Sequence, residues 1–167
     1  MRRKSLEGNL CAVARSLDII GDWWSLLIVR DALAGVRRFG EFQRSLGVAK
    51  NILTVRLRSL VAQGILEVAP APEGGAHQEY VPTEKGRELM PVLVALSQWG
   101  SEHLFNPDEP RSVLVDAERN RPLEKLQIRS EDGRTLRPDE ILVRAAAREM
   151  SQAIARSGDS RGDAEDE

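Results

Sequence analysis

Cysteine is all but missing from this chain, and the single residue present, Cys11, has no partner for a disulfide within it. Histidine is nearly as scarce: two imidazoles and one thiol make a poor ligand set for a structural or catalytic transition metal. A phosphate-binding glycine loop, a nucleophile motif and an acid and base paired at helical spacing are all absent. These absences predict a protein that is not an enzyme and holds no cofactor. Long apolar runs are missing as well. The strongest, residues 23–29, is interrupted by Ser25 and closed off by Asp22 and Arg30, far short of the roughly 20 residues of a membrane span. Arg2, Arg3 and Lys4 suit the start of a secretion signal, but Glu7, Gly8, Asn9 and Arg15 stand where its apolar segment belongs. The expectation is a cytoplasmic protein with no membrane partner.

What is present is charge, unevenly placed. The net charge of −2 hides eleven Lys or Arg against five acids in residues 1–60, and thirteen against twenty-one thereafter. The basic N-terminal part is therefore the candidate for a polyanionic partner, because a phosphate backbone rewards clustered positive charge. A length of 167 residues allows one domain with an appendage.

Leu10, Val13, Ala14, Leu17 and Ile20 recur at helical spacing and predict a first helix over residues 9–20, with Gly21 as its stop. Asp22 suits the N-cap of a second helix whose Trp23, Leu26, Leu27 and residues 29–33 are too apolar for a surface element, so it is central. After Gly35 come a short extended stretch at residues 37–39, a brief helix through Glu41, Phe42 and Leu46 ending at Gly47, and a longer helix over residues 50–63. Leu53, Leu57, Leu60 and Val61 share one face of that longer helix, with Gly64 behind it. Residues 65–69 and 78–81 read as paired strands around a tip rich in Pro and Gly. Thr83 caps a long helix to about Phe105, and Pro91 inside it predicts a bend.

Composition then shifts. Residues 106–112 read as a linker and residues 113–156 as a small C-terminal extension, whose segments 113–115, 123–128 and 134–136 suggest an antiparallel sheet turning at Asn120 and at Asp132-Gly133. Beyond Pro138, Leu142, Ala146, Met150 and Ala153 share a helical face, although residues 141–143 read equally well as a last strand. Residues 157–167 are too polar to fold and form a disordered tail.

The order helix, helix, short strand, helix, longer helix, hairpin is that of a winged helix-turn-helix: mainly α with a small β component (α+β), with a small C-terminal α/β extension. At 100° per residue, Asn51, Val55, Arg58 and Ala62 fall together opposite the leucine face of the longer helix, with Lys50 and Thr54 at the edge. Asn and Arg read adenine and guanine edges by paired hydrogen bonds, Thr and Val can touch a thymine methyl, and the helix N-terminus suits a phosphate. An ordinary polar outer face is the competing reading, and Val55 counts against it, since an apolar β-branched side chain facing solvent has a cost unless something covers it.

The run Cys11-Ala12-Val13-Ala14-Arg15-Ser16-Leu17-Asp18-Ile19-Ile20-Gly21-Asp22-Trp23-Trp24, followed by Leu26-Leu27-Ile28-Val29-Arg30, resembles the opening of the HxlR-type bacterial transcriptional regulators of the MarR-like superfamily. Arg37-Arg38-Phe39-Gly40-Glu41-Phe42, Leu53-Thr54-Val55-Arg56-Leu57-Arg58-Ser59-Leu60, Gly64-Ile65-Leu66, Glu79-Tyr80-Val81-Pro82-Thr83-Glu84-Lys85-Gly86 and Trp99-Gly100 continue the resemblance in order, over residues 9–105. It implies a homodimeric DNA-binding regulator with residues 1–105 as its DNA-binding and dimerisation domain and double-stranded DNA as partner. Two departures stand out: Val55 replaces a residue usually polar in such proteins, and the wing, often basic, here has Glu73, His77 and no Lys or Arg between residues 70 and 78.

The resemblance places Arg37 and Arg38 against the DNA backbone. Arg56 flanks the buried stripe and is expected to pair with an acid such as Glu41. Leu10 on the first helix, with Leu89, Leu93, Leu96 and Trp99 on the last, is expected at a two-fold dimer seam, which sets two reading helices one DNA turn apart on a palindrome. Trp23, Trp24 and Trp99 suit either an aromatic effector pocket or plain packing. Cys11 stands where such regulators often carry an oxidant-sensing cysteine, and packing at the dimer interface is its alternative. The predicted function is a homodimeric repressor of a palindromic operator, responsive to an oxidant, an electrophile or a small effector. A protein-interaction module without specific DNA binding is the other possibility.

Overall fold

Asp22 shows how locally the fold is written. Its carboxylate accepts the backbone N–H groups of Trp24 (2.9 Å) and Ser25 (3.4 Å) and so starts a helix where the sequence placed one. The computed structural model describes residues 5–71 and 78–144. In chain order it contains α1 (Ala12–Ile20), α2 (Trp23–Leu33), α3 (Phe39–Leu46), α4 (Lys50–Ala62), β1 (Leu66–Pro70), β2 (Gln78–Pro82), α5 (Glu84–Arg87) and α6 (Met90–His103). The strands pair antiparallel with Val68 opposite Tyr80. The tip between them, with Glu73 and His77, lies outside the described residues.

The core is the meeting of three apolar faces. Ile28, Val29 and Ala32 of α2, Phe42 of α3 and Leu53, Leu57 and Leu60 of α4 are all sealed from solvent, joined by Val48, Ile65 and Leu66. Each fully buried Leu, Ile or Phe contributes about 1.5–3 kcal/mol, so this cluster is the main force holding α4 against α2. Tyr80 closes it from the hairpin side, edge-on to Phe42 at 6.4 Å between ring centres.

The long last helix is corrected: the chain breaks rather than bends. Thr83 caps only the short α5, accepting the Gly86 N–H at 3.1 Å, and a new helix starts at Met90 with Pro91 in its first turn. Proline lacks the N–H that would continue the ladder and its ring clashes with the carbonyl four residues earlier, but it is at home in a first turn. α1 is shorter than expected, starting at Ala12 with Cys11 as its N-cap.

The chain divides into two compact units, residues 1–126 and 127–167. Residues 113–126, expected in the extension, lie in the first. The Gln98 side chain donates to Glu124 O (2.9 Å) and accepts from Leu126 N (2.8 Å), and Lys125 Nζ meets Glu102 at 2.6 Å. The lysine holds the Glu102 carboxyl below its ordinary range. The small sheet expected across 113–136 does not form among the described residues. Its turns are where the sequence put them, with Asn120 and Gly133 at φ 52° and 85°, but each supports only an isolated bridge, Val115 to Pro122 in the first unit and Arg129 to Thr135 in the second. Pro138–Glu140 is a single 3-10 turn and residues 141–144 are neither helix nor strand. The helical face through Ala146, Met150 and Ala153, and the tail 157–167, lie outside the described residues. No helix among the described residues is long and apolar enough to cross a membrane.

Candidate nucleic-acid interface

α3 and α4 are joined by a three-residue turn. Gly47 takes φ 61°, a left-handed conformation that costs glycine nothing, and its N–H closes α3 on Gln43 O at 3.0 Å. Val48 is buried beneath the turn, which sets the angle at which α4 leaves. Ala49, the N-cap of α4, offers no side-chain acceptor, so the first-turn N–H groups of α4 have no side-chain cap.

With Leu53, Leu57 and Leu60 turned inward, the opposite face of α4 stands in solvent. Lys50, Asn51, Val55, Arg58 and Ala62 are exposed and Thr54 is half-buried, which brings the residues predicted on this helix onto one surface. Ile52, at 37% exposure, sits at the rim of that face and was not foreseen. Thr54 Oγ1 donates to Lys50 O at 2.8 Å.

Arg37 and Arg38 are engaged within the chain. Arg37 Nη1 donates to Ala32 O and, at 3.1 Å, to Val36 O, where it caps the carboxyl end of α2. Arg38 Nε meets Glu79 of β2 at 3.3 Å. Glu41 accepts the backbone N–H groups of Arg38 (2.9 Å) and Arg37 (3.1 Å), and these bonds, that of Arg38 foremost, hold its carboxyl below its ordinary range. The acid three residues into α3 is a capping spacing that the sequence displays. Arg56 is corrected accordingly: its partner is Asp22, at 2.8 Å, because Glu41 is turned to the backbone.

Leu89 and Leu93, expected at the seam, are half-buried and pack against the chain's own core. Exposed apolar groups on α6 are Met90, Val92, Leu96 and Trp99, and in the first helix region Leu10, Val13 and Leu17, with Leu10 90% exposed. Cys11 is exposed. A cleft of about 920 Å³ between α2 and α6 is lined by Trp23, Leu27, Met90, Leu96 and Phe105 among others. Of the three tryptophans only Trp23 lines it; Trp24 packs on the core and Trp99 lies tilted against His103 at 5.3 Å. Among the described residues no cluster of His, Cys, Asp or Glu is placed to hold a metal.

Residues 19–108 match the model of the HxlR-like helix-turn-helix family. The chain belongs to that family. It is 43% identical over 99 residues to Rv3095, an HTH-type transcriptional regulator of Mycobacterium tuberculosis, a match covering 59% of this chain and 63% of that protein. The crystal structure of PA1607, a candidate transcription factor, superposes with a TM-score of 0.81 at 52% identity, covering 84% of this chain and 99% of that one. HypR, a redox regulator solved in its reduced form, superposes with a TM-score of 0.52 at 32% identity, over 56% of this chain and 94% of that one. The two solved structures are matched across almost their whole length, whereas the chain spans less than two thirds of Rv3095.

Proposed function

We propose that this HxlR-like protein is a sequence-specific DNA-binding transcriptional regulator, a homodimeric repressor that occludes a promoter by binding a palindromic operator. The observation that carries this reading is the exposed face of α4, where Asn51, Val55 and Arg58 lie above an inward leucine stripe and Lys50 flanks a helix start without a side-chain cap. These are the side chains and the helix end that read base edges and hold phosphate. Arg58 and Lys50 supply the outward charge, since Arg37 and Arg38 serve the fold. The apolar groups left in solvent on α6, on α1 and just before it support a two-fold seam through Leu10, Leu96 and Trp99. The redox regulator among the structural relatives supports Cys11 as the sensing group, and the cleft beside Trp23 is the place for a small apolar effector.

Two measurements test the reading. Selection from a random duplex pool should enrich a palindrome whose binding survives excess competitor DNA, and sedimentation should give a dimer at micromolar concentration. Failure to enrich any sequence would leave a winged fold used for protein interaction, and a monomer would reject the seam.

A further inference from the structure

Val55 is an apolar side chain in the middle of a face that is otherwise built for polar contact. It is 58% exposed, one turn after Asn51 and just before Arg58, and Ile52 adds apolar surface at the rim. Thr54 beside it also carries a methyl group, and its single hydroxyl proton is already donated to Lys50 O. If the face meets the major groove, Asn51 and Arg58 have hydrogen-bonding edges to answer, while Val55 has nothing polar to offer. The groove presents one apolar feature among its base edges, the C5 methyl group of thymine.

Resting on the DNA reading above, we infer that Val55 is a specificity-determining residue that packs against a thymine methyl group in each half-site. The preference at that position is then for the methyl group itself rather than for the hydrogen-bonding pattern of the A·T pair. Cytosine methylated at C5 presents the same group at the same place in the groove, so the position discriminates 5-methylcytosine from cytosine in the same sense.

The test uses the duplex that the wild-type protein enriches from a random pool. Each thymine is replaced in turn by deoxyuridine, which removes one methyl group and leaves base pairing intact, and binding is measured for the wild type and for Val55→Ala. Val55→Ala, altered at an exposed position, is checked for an unchanged melting curve. The expected result is one thymine per half-site at which deoxyuridine weakens wild-type binding by about fourfold, the scale of returning one methyl group to water. At that position the variant shows no deoxyuridine penalty, and in a duplex with cytosine substituted for that thymine, 5-methylcytosine in place of the cytosine strengthens binding by the wild type alone. Tolerance of deoxyuridine everywhere, a penalty of equal size in Val55→Ala, or an enriched site without thymine overturns the inference while leaving the DNA reading intact. Enrichment of no sequence overturns both.

Discussion

Asp22 and Arg56 meet at 2.8 Å, so the carboxylate that starts α2 also receives a guanidinium from α4. Its Oδ1 accepts from the α2 backbone, and Ser25 Oγ donates at 2.9 Å to Oδ2, the oxygen that faces Arg56. Asp22→Ala therefore removes a cap and an ion pair and should cost about 1–2 kcal/mol, whereas Arg56→Met removes only a partly exposed pair and should cost about 0.2–1 kcal/mol. Urea unfolding of both variants ranks them; equal losses would mean that the cap contributes nothing.

Gly86 is fixed by close approach. A Cβ there would lie 2.2 Å from the Ile65 carbonyl oxygen, which belongs to the backbone and cannot yield cheaply. Gly86→Ala should destabilise by more than about 2 kcal/mol, as overpacking of a backbone contact does. Gly40, inside α3 with nothing within 4 Å of its Cβ position, is the control. Gly40→Ala should be neutral or stabilise by up to about 1 kcal/mol. Thermal melts separate the two, and similar shifts would refute the packing argument.

Arg58 and Arg37 should part company. Arg58→Ala should cost about 1–3 kcal/mol on the enriched duplex and relax preference at one base position, with stability unchanged. Arg37→Ala should lower stability, because its guanidinium caps α2, and should leave the salt dependence of DNA binding as it was. A salt slope reduced by about 1 in Arg37→Ala would return that residue to the phosphate backbone.

Glu41 predicts a pH dependence. Its folded carboxyl titrates below its ordinary value of 4.5 because the N–H groups of Arg38 and Arg37 bond to the charged form. That contribution is present above pH 4.5 and is lost as the pH falls through the lowered folded value. Glu41→Gln should therefore be less stable than the wild type at pH 7, with the difference closing under acid. A gap that stays constant from pH 7 to about pH 3 would contradict it.

Cys11 is exposed at the head of α1, open to diamide or to a quinone. Oxidant should release the enriched duplex from the wild type but not from Cys11→Ser, with both binding equally when reduced. Release from both proteins, or from neither, would leave the cysteine without a sensing role.

Elements whose signal is local were legible in the sequence. The leucine stripe of α4, the Asp22 cap and the glycine stops follow from period and capping chemistry, and the exposed opposite face of α4 follows from the stripe by subtraction. Pro91 was legible as an interruption but not as a new start, because nothing nearby says whether the helix kinks or is re-nucleated. The partner of Arg56 and the clamp of Gln98 on Glu124 and Leu126 join residues far apart in the chain, which no local pattern encodes. In the extension, turn residues were recognised correctly, but a turn does not make a strand when the flanking segments have little to pack on.

The hairpin is stitched to the entrance of the helix-turn-helix twice over, by the Tyr80 N–H on Arg37 O at 2.9 Å and by Arg38 on Glu79. Glu41 grips the same two residues from inside α3. The described part of the hairpin is therefore tied to the start of α3, and on the proposed DNA reading hairpin and helix-turn-helix would move together. In the proposed dimer the adjustable quantity would be the distance and tilt between two such units, which would make regulation a matter of gauge, like the width of a track.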